Sequence, residues 1–263
     1  EKMNGKIIDL NMYVDYLENA KLLGYDLKNN KNVFLYNGVP SNKHFKLGKV
    51  SGMCLNKNMM YIATKIHNKL YIIRYNIRVK NGKYILNNRK IYEVNTNKGV
   101  KACQNISSIN YVNNLAGFIL NDGLNVYYAK FNDRKFQIIQ QFELESNIQV
   151  NTKDGVEQLD ISNYAYQGIL CRNNKLYMAM TSKNEKNKSI VVNYNFDIKD
   201  KKSKSFKANQ DEFVSITSGT YKELFKIENV AIYNNEMYMN INAKDMYGKS
   251  FSKIIKLKNF SYN

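Results

Sequence analysis

Carboxylates are the residues of this chain with the clearest potential for catalysis. Glu228 stands at the start of an apolar segment, and Glu157 and Asp160 lie close together in the stretch DGVEQLD. Two carboxyl groups about 5 to 10 Å apart can hydrolyse a glycosidic bond, one as the acid and the other as base or nucleophile. A glycan hydrolase using Glu228 with Glu157 or Asp160 is therefore one hypothesis, and an acidic, solvated loop is the alternative explanation for the second pair.

Other catalytic or metal-binding chemistry has little support. Histidine occurs only at His44 and His67, and the chain contains no zinc-protease, serine-hydrolase, phosphate-loop or calcium-loop motif. The cysteines Cys54, Cys103 and Cys171 are widely spaced within or beside apolar stretches, which favours inert core thiols over a disulfide framework. We therefore expect no metal and no cofactor, and we favour a protein that is not an enzyme.

Four polar residues occupy equivalent positions along the chain and form a second candidate site. They are Ser51, Ser107, Gln167 and Glu228, each at the start of a similar apolar segment. If these segments are the innermost strands of a radial fold, the four side chains converge on its axis. Such a ring would hydrogen-bond a sugar or a peptide, and the alternative is a ring that binds only channel water.

The elements that position these residues come from an internal repeat. Each segment reads as an apolar strand, an asparagine-containing turn and a second strand with an aromatic residue: SGMCLNKNMMYIAT, SSINYVNNLAGFIL, QGILCRNNKLYMAMT and ENVAIYNNEMYMNIN. The aromatic residues, Tyr61, Phe118, Tyr177 and Tyr238, follow one another at intervals of 57, 59 and 61 residues. Tight hairpins are predicted at 57–58, 113–114, 173–174 and 234–235, because asparagine tolerates the left-handed conformation of such turns.

These repeats are longer than the roughly 40 to 50 residues of common β-propeller repeats, but each can hold the four strands of a propeller blade. Residues 6–36 resemble the later strands of a unit that lacks its first strand, and the last unit ends after three strands. Pairing of the two ends in one sheet would close the ring and remove its exposed edges. We predict an all-β, five-bladed propeller that forms a single domain over residues 1–263. A β-sandwich, or a six-bladed ring shared with missing sequence, is the alternative.

The net charge of +18 indicates a polyanionic partner. Most of the basic residues are lysines, and the few arginines are Arg74, Arg78, Arg89, Arg134 and Arg172. Base recognition favours the arginine fork, so sequence-specific nucleic-acid binding is disfavoured. No apolar run is long enough for a membrane-spanning helix. An AT-rich genome encodes abundant lysine whatever the function of the protein, and this would explain the charge equally well. We expect a monomer that binds a bacterial cell-envelope component or an anionic wall polymer.

The repeat segments resemble those of the helveticin J-like bacteriocins. The stretches that carry the resemblance are YQGILCRNNKLYMAMTS from Tyr166 and IENVAIYNNEMYMNINAKDMYGKSFSKIIKL from Ile227. Gln167, Gly168, Glu228 and Asn229 match the family's inner-strand motif, whereas Ser108 stands where glycine would fall. The resemblance implies a five-bladed propeller and an antibacterial toxin.

That resemblance implies a toxin secreted to the extracellular space that acts on the envelope of Gram-positive bacteria. Because the chain opens at Glu1 without a signal-like segment, we expect the C-terminal or cytotoxic part of a longer protein. The alternatives are a glycan-binding or protein-binding propeller without toxicity, and the glycan hydrolase described above.

Overall fold

In a computed structural model, the described part of the chain consists almost wholly of antiparallel β-meanders. The structure describes residues 49–66, 68–80, 83–132, 135–152, 154–198 and 205–257, and four two-residue strands before them. These four are β1 (Tyr25–Asp26), β2 (Lys31–Asn32), β3 (Leu35–Tyr36) and β4 (Val39–Pro40), paired as β1–β2 and β3–β4. Most of the predicted partial unit at residues 6–36 lies outside the described residues, as do His44 and His67.

The first two meanders each contain four strands. The first consists of β5 (Lys49–Asn56), β6 (Met59–Ile66), β7 (Lys69–Lys80) and β8 (Lys83–Thr96), and the second of β9 (Ser108–Val112), β10 (Gly117–Asp122), β11 (Asn125–Asn132) and β12 (Lys135–Leu144). Strands β8 and β12 pair in parallel over three residues, Phe136 with Val94 to Ile138 with Thr96, and join the two meanders into one sheet.

The third and fourth meanders follow a hairpin. The hairpin consists of β13 (Asn147–Thr152) and β14 (Gly155–Asp160). The third meander contains β15 (Tyr164–Arg172), β16 (Lys175–Ser182), β17 (Lys188–Asn195) and β19 (Ala208–Thr217), and β18 (Ser205–Phe206) pairs with the end of β12. The fourth has the three strands expected of the last unit: β20 (Leu224–Tyr233), β21 (Glu236–Lys244) and β22 (Ser250–Lys256).

The prediction of an all-β chain is confirmed for the described residues. Their helical content is two single turns of 3-10 helix, Asn113–Leu115 and Ile161–Asn163. No helix in the described ranges is long and apolar enough to cross a membrane. Each of the four sequence repeats forms the first hairpin of one meander, with its first strand at an edge of the sheet.

Three of the predicted tight turns are two-residue hairpin loops with left-handed residues. Asn173 and Asn174 have φ of 48° and 60°, Asn234 and Asn235 have 49° and 59°, and Lys57 has 54°. The turn predicted at 113–114 differs, because it is the 3-10 segment closed by left-handed Ala116. This longer loop explains why Phe118 is displaced by one residue from the position that tyrosine holds in the other repeats.

The chain forms two compact units: the described parts of Glu1–Leu120 and Tyr127–Gln140 form unit 1, and those of Asn121–Val126 and Gln141–Asn263 form unit 2. In unit 1, Phe118 is the centre of an aromatic core, with its ring 4.8 to 5.6 Å from those of Tyr61, Phe131 and Phe136. In unit 2, Tyr177 and strands β20 and β21 supply most of a core cluster that includes Ile227, Met237 and Met239.

Candidate anion-binding pocket

Three of the four predicted polar positions coincide with β-bulges. The ladder register shifts between Val50 and Gly52 in β5, between Tyr166 and Ile169 in β15, and between Ile227 and Asn229 in β20. These shifts place Ser51, Gln167 and Glu228 at irregular points of their strands, where a bulge re-aims the side chain. Ser107 lies immediately before β9, and all four residues are half-buried.

Glycine brings the first strands of neighbouring meanders together within each unit. In unit 1, a Cβ added to Gly52 would lie 2.8 Å from the Cα of Ser108 and 2.9 Å from the nitrogen of Ile109. In unit 2, a Cβ on Gly168 would lie 2.6 Å from the Cα of Asn229. The departure of Ser108 from the glycine pattern thus has a physical reason: at both contacts one glycine faces a residue with a side chain.

These contacts place Ser51 near Ser107 in unit 1 and Gln167 near Glu228 in unit 2, because each is adjacent in sequence to a contacting residue. The carboxylate of Glu228 forms an ion pair of 3.0 Å with the Lys226 ammonium. A single ring of all four residues stays a prediction.

The other two predicted catalytic carboxylates lie on β14, the solvent-facing strand of the β13–β14 hairpin. Glu157 is exposed. Asp160 caps the following 3-10 turn, since its Oδ1 accepts a 2.9 Å hydrogen bond from the backbone nitrogen of Ser162. That hydrogen bond lowers the pKa of Asp160 below its usual value, so the group is held as an acceptor rather than as an acid. Its role in the fold is a helix cap.

A cation-lined depression in unit 1 is the candidate site that the sequence did not reveal. It has a volume of about 420 Å³, is open to solvent, and is lined by Arg74, Asn76, Asn88, Arg89 and Lys90. Every lining residue is cationic or carries an amide, so the depression presents hydrogen-bond donors together with positive charge. The described residues of β7 and β8 supply the whole lining.

A bulge between β7 and β8 creates this lining. Arg74 pairs with Lys90 and Asn76 pairs with Asn87, so the single residue Tyr75 faces both Asn88 and Arg89. Asn88 adopts the left-handed conformation, with φ of 51°. The extra residue changes the direction of the β8 side chains locally, and Arg74, Arg89 and Lys90 all line the depression.

The electrostatics of this bulge favour a bound anion. Arg74 and Lys90 face each other directly across the ladder, and like charges at directly opposite positions destabilise a sheet. Arg89 adds a third cation, and only 4% of its surface is exposed. Because an anion between these cations would reduce their mutual repulsion, the arrangement is typical of a site that binds one.

Aromatic residues hold Arg74 in place. Its guanidinium carbon lies 5.9 Å from the centre of the Tyr92 ring, and Arg74 is the cross-strand partner of Tyr61. Burial raises the pKa of Tyr61, and the positive charge of Arg74 opposes that shift. The Nε of Arg74 is buried and has no hydrogen-bond partner among the described residues.

Unit 2 contains a carboxylate surrounded by donors. Glu212 on β19 accepts hydrogen bonds from Lys175, from the Tyr177 hydroxyl at 3.1 Å and from the Asn193 amide. Because the carboxylate already accepts from three side chains, its role is to join β16, β17 and β19. Sequence reasoning missed Glu212 because its partners lie 19 to 37 residues away in the chain.

None of the three cysteines forms a disulfide. Cys54 and Cys171 are buried, as predicted, and burial raises the pKa of the Cys171 thiol to about 12. The prediction of a core thiol is wrong for Cys103, which is half-exposed and whose Sγ donates a 2.7 Å hydrogen bond to the carbonyl of Asn105. In the described ranges, no three His, Cys, Asp or Glu side chains are grouped so that they could hold a metal ion.

Comparison with known proteins gives only weak similarities. No family model and no curated protein matches the chain. The chain is similar to an exo-β-1,3-galactanase from Phanerochaete chrysosporium at 7% identity and a TM-score of 0.39, with 90% of this chain and 63% of that one covered.

Two other solved structures show comparable similarity. These are AztD from Citrobacter koseri (12% identity, TM-score 0.33, 85% of this chain and 51% of that one) and the major allergen Mala s 1 of Malassezia sympodialis (10%, 0.34, 91% and 86%). The chain thus spans less than two thirds of the galactanase and about half of AztD. Similarity at this level assigns no activity.

Proposed function

We propose that this chain is a non-catalytic β-propeller module that binds the phosphate groups of an anionic cell-envelope polymer. The observation that carries the proposal is the pocket in which Arg74, Arg89 and Lys90 meet at one bulge. Guanidinium groups bind phosphate through paired, charge-assisted hydrogen bonds. The net charge of +18 would concentrate the protein on a polyanion before the pocket engages a single phosphate.

Five blades and closure of the ring by the two chain ends are part of this proposal. Four consecutive meanders support it, because each begins with an edge strand and the fourth lacks one strand. The glycine contacts at Gly52 and Gly168 support it as well, because they bring first strands of successive meanders together. In a propeller, such strands surround the axis.

Equilibrium titration of a polyol-phosphate polymer into the protein tests the pocket. The variant Arg74→Gln/Lys90→Gln removes two pocket cations, and each charge-assisted hydrogen bond contributes about 1.5 to 3 kcal/mol. We expect affinity to fall by at least about tenfold, which corresponds to about 1.4 kcal/mol. The control is Arg78→Gln/Lys57→Gln, which removes two exposed cations outside the pocket.

Equal losses in the pocket variant and in the control would contradict the proposal, because binding would then reflect net charge alone. A carboxylate polymer of matched charge density provides a second control. If the carboxylate polymer binds as tightly as the phosphate polymer, and with the same dependence on Arg74 and Lys90, the assignment to phosphate is wrong.

The proposed setting of this binding is the outside of Gram-positive bacteria, where the module would act as a secreted antibacterial toxin. The resemblance to the helveticin J-like repeats supports it. The test is to produce the chain inside susceptible bacteria with and without an export signal, and to follow viability. Death on export only is expected. Survival in both cases would favour a propeller that binds its polymer without toxicity.

A further inference from the structure

We propose that the loop between β21 and β22 inserts into the surface of an anionic lipid bilayer. This loop, Asp245–Lys249, lies in unit 2 and contributes nothing to the pocket of unit 1. Its apolar residues, its internal hydrogen bonds and the cations around it carry the inference independently of the phosphate pocket.

The loop exposes two large apolar side chains in succession. Met246 is 67% exposed and Tyr247 is 86% exposed. Single exposed apolar residues are common on protein surfaces, but adjacent ones at the tip of a hairpin form a projecting apolar feature. Tyrosine favours the interface between lipid headgroups and acyl chains, and methionine adapts readily to an irregular apolar environment.

Hydrogen bonds within the loop fix this exposure. The Oδ1 of Asp245 accepts from the backbone nitrogens of Tyr247 and Lys249, each at 2.9 Å. Two further backbone hydrogen bonds of 3.0 Å join Asp245 with Gly248 and Lys249, and Gly248 has φ of 79°. The loop is therefore held in a shape that keeps Met246 and Tyr247 away from the sheet.

Cations supported on aromatic rings stand next to this loop. The Lys253 ammonium donates a 2.9 Å hydrogen bond to the Tyr221 hydroxyl and lies 5.2 Å from the centre of the Phe251 ring. Lys249 lies 5.3 Å from the same ring. These contacts hold two ammonium groups around the Phe251 ring, at the start of the strand that follows the loop, while the carboxylate of Asp245 is engaged within the loop.

An anionic bilayer matches this combination better than a sugar or a neutral bilayer. The lysines would bind lipid phosphates, Tyr247 would lie in the headgroup region, and Met246 would contact the upper acyl chains. A sugar ring could stack on Tyr247 but would leave Met246 in water. A neutral bilayer would satisfy the apolar tip without using the lysines, so the proposal requires anionic lipid.

The experiment uses tryptophan as a site-specific probe, because the chain contains none. The variant Tyr247→Trp is mixed with vesicles that contain phosphatidylglycerol and with vesicles of phosphatidylcholine alone. We expect a blue shift of emission and quenching by bromine-labelled acyl chains with the anionic vesicles only. A solvent-like spectrum while the protein is bound to vesicles would overturn the proposal, and so would a failure to bind them.

Cosedimentation of variants with the same anionic vesicles provides the matched comparison. Met246→Ser/Tyr247→Ser should lower the bound-to-unbound ratio by about tenfold, because the buried apolar surface is lost. Val156→Ser/Tyr233→Ser removes two exposed apolar residues elsewhere in unit 2 and should leave the ratio unchanged.

The pocket variant Arg74→Gln/Lys90→Gln separates this proposal from the proposed function. When Tyr247→Trp is introduced into the same chain, anionic vesicles should still shift the tryptophan emission, whether or not the phosphate polymer binds. Loss of the blue shift in that combined variant would mean that the loop does not act on its own, which would contradict the inference.

Discussion

Replacement of Gly168 by alanine tests the contact between β15 and β20, the first strands of the third and fourth meanders. The proposed propeller arrangement depends on such contacts. The added Cβ would lie 2.6 Å from the Cα of Asn229 and 2.8 Å from the carbonyl oxygen of Glu228. Nonbonded carbon atoms pack best about 3.5 to 4.0 Å apart, so the overlap is about 1 Å. The Oδ1 of Asn229 also obstructs the added Cβ, and that side chain could move aside. The other two obstructing atoms belong to the backbone, so the two strands must still separate.

The expected loss of stability follows from that overlap. Overpacking of a well-packed interior by one methyl group costs about 1 to 3 kcal/mol, and backbone obstruction places Gly168→Ala in the upper part of this range. Gly52→Ala should behave similarly, since its Cβ would meet the backbone of Ser108 at 2.8 Å. Gly219→Ala is the control, because none of the described residues comes within 4 Å of its Cβ.

Urea unfolding followed by circular dichroism measures these differences. The midpoint should fall for Gly168→Ala and Gly52→Ala, and it should stay level or rise slightly for Gly219→Ala, since alanine restricts the unfolded chain. A loss below about 0.5 kcal/mol for Gly168→Ala would refute the reasoning, because random surface substitutions produce changes of that size.

Other predictions concern the buried polar and titratable groups. Glu212→Gln should lower the free energy of unfolding by about 1 kcal/mol, because the ion pair with Lys175 is only partly buried. High salt should reduce this difference by screening the ion pair, and a difference that salt leaves unchanged would contradict the prediction. Burial raises the pKa values of the Cys54 and Cys171 thiols above the usual thiol pKa of 9.0. Above pH 9.0 the unfolded chain therefore releases these two protons, while the folded protein keeps them. Stability should therefore fall as pH rises above that value, by about 1.4 kcal/mol per pH unit for each thiol, and Cys171→Ala should reduce the slope; an unchanged slope would disprove the assignment. In native protein, alkylation monitored by mass spectrometry should reach half-exposed Cys103 before the two buried thiols, and equal rates would show that burial does not protect them.

Local turn chemistry made much of the fold predictable. Asparagine pairs such as 173–174 and 234–235 marked hairpins because few other residues accept the left-handed conformation. Their regular recurrence, followed by an aromatic residue, located the first hairpin of each meander. The prediction was less accurate at Phe118, because the 3-10 turn before it depends on left-handed Ala116, a residue without a strong turn signal.

The pocket could not be predicted in the same way. It depends on a register shift that sets Tyr75 against Asn88 and Arg89, and a shift of one residue in a long hairpin leaves little trace in a sequence. The one feature of the sequence that indicated the site was Arg89, flanked by Asn88 and Lys90 in a strand whose other residues are typical of a protein surface. The partnership of that arginine with Arg74 becomes visible only when the two strands are paired.

The Arg74 side chain offers the most direct test of the proposed function. With only five arginines in the chain, their side-chain Nε–H resonances can be assigned by single substitutions and followed by NMR as a glycerol-phosphate oligomer is added. Because Arg74 lines the pocket, its Nε–H resonance should shift and saturate as phosphate binds to the guanidinium, while that of exposed Arg78, which lies outside the lining, stays in place. Saturable binding that leaves the Arg74 resonance unmoved, or no saturable binding at all, would contradict the account.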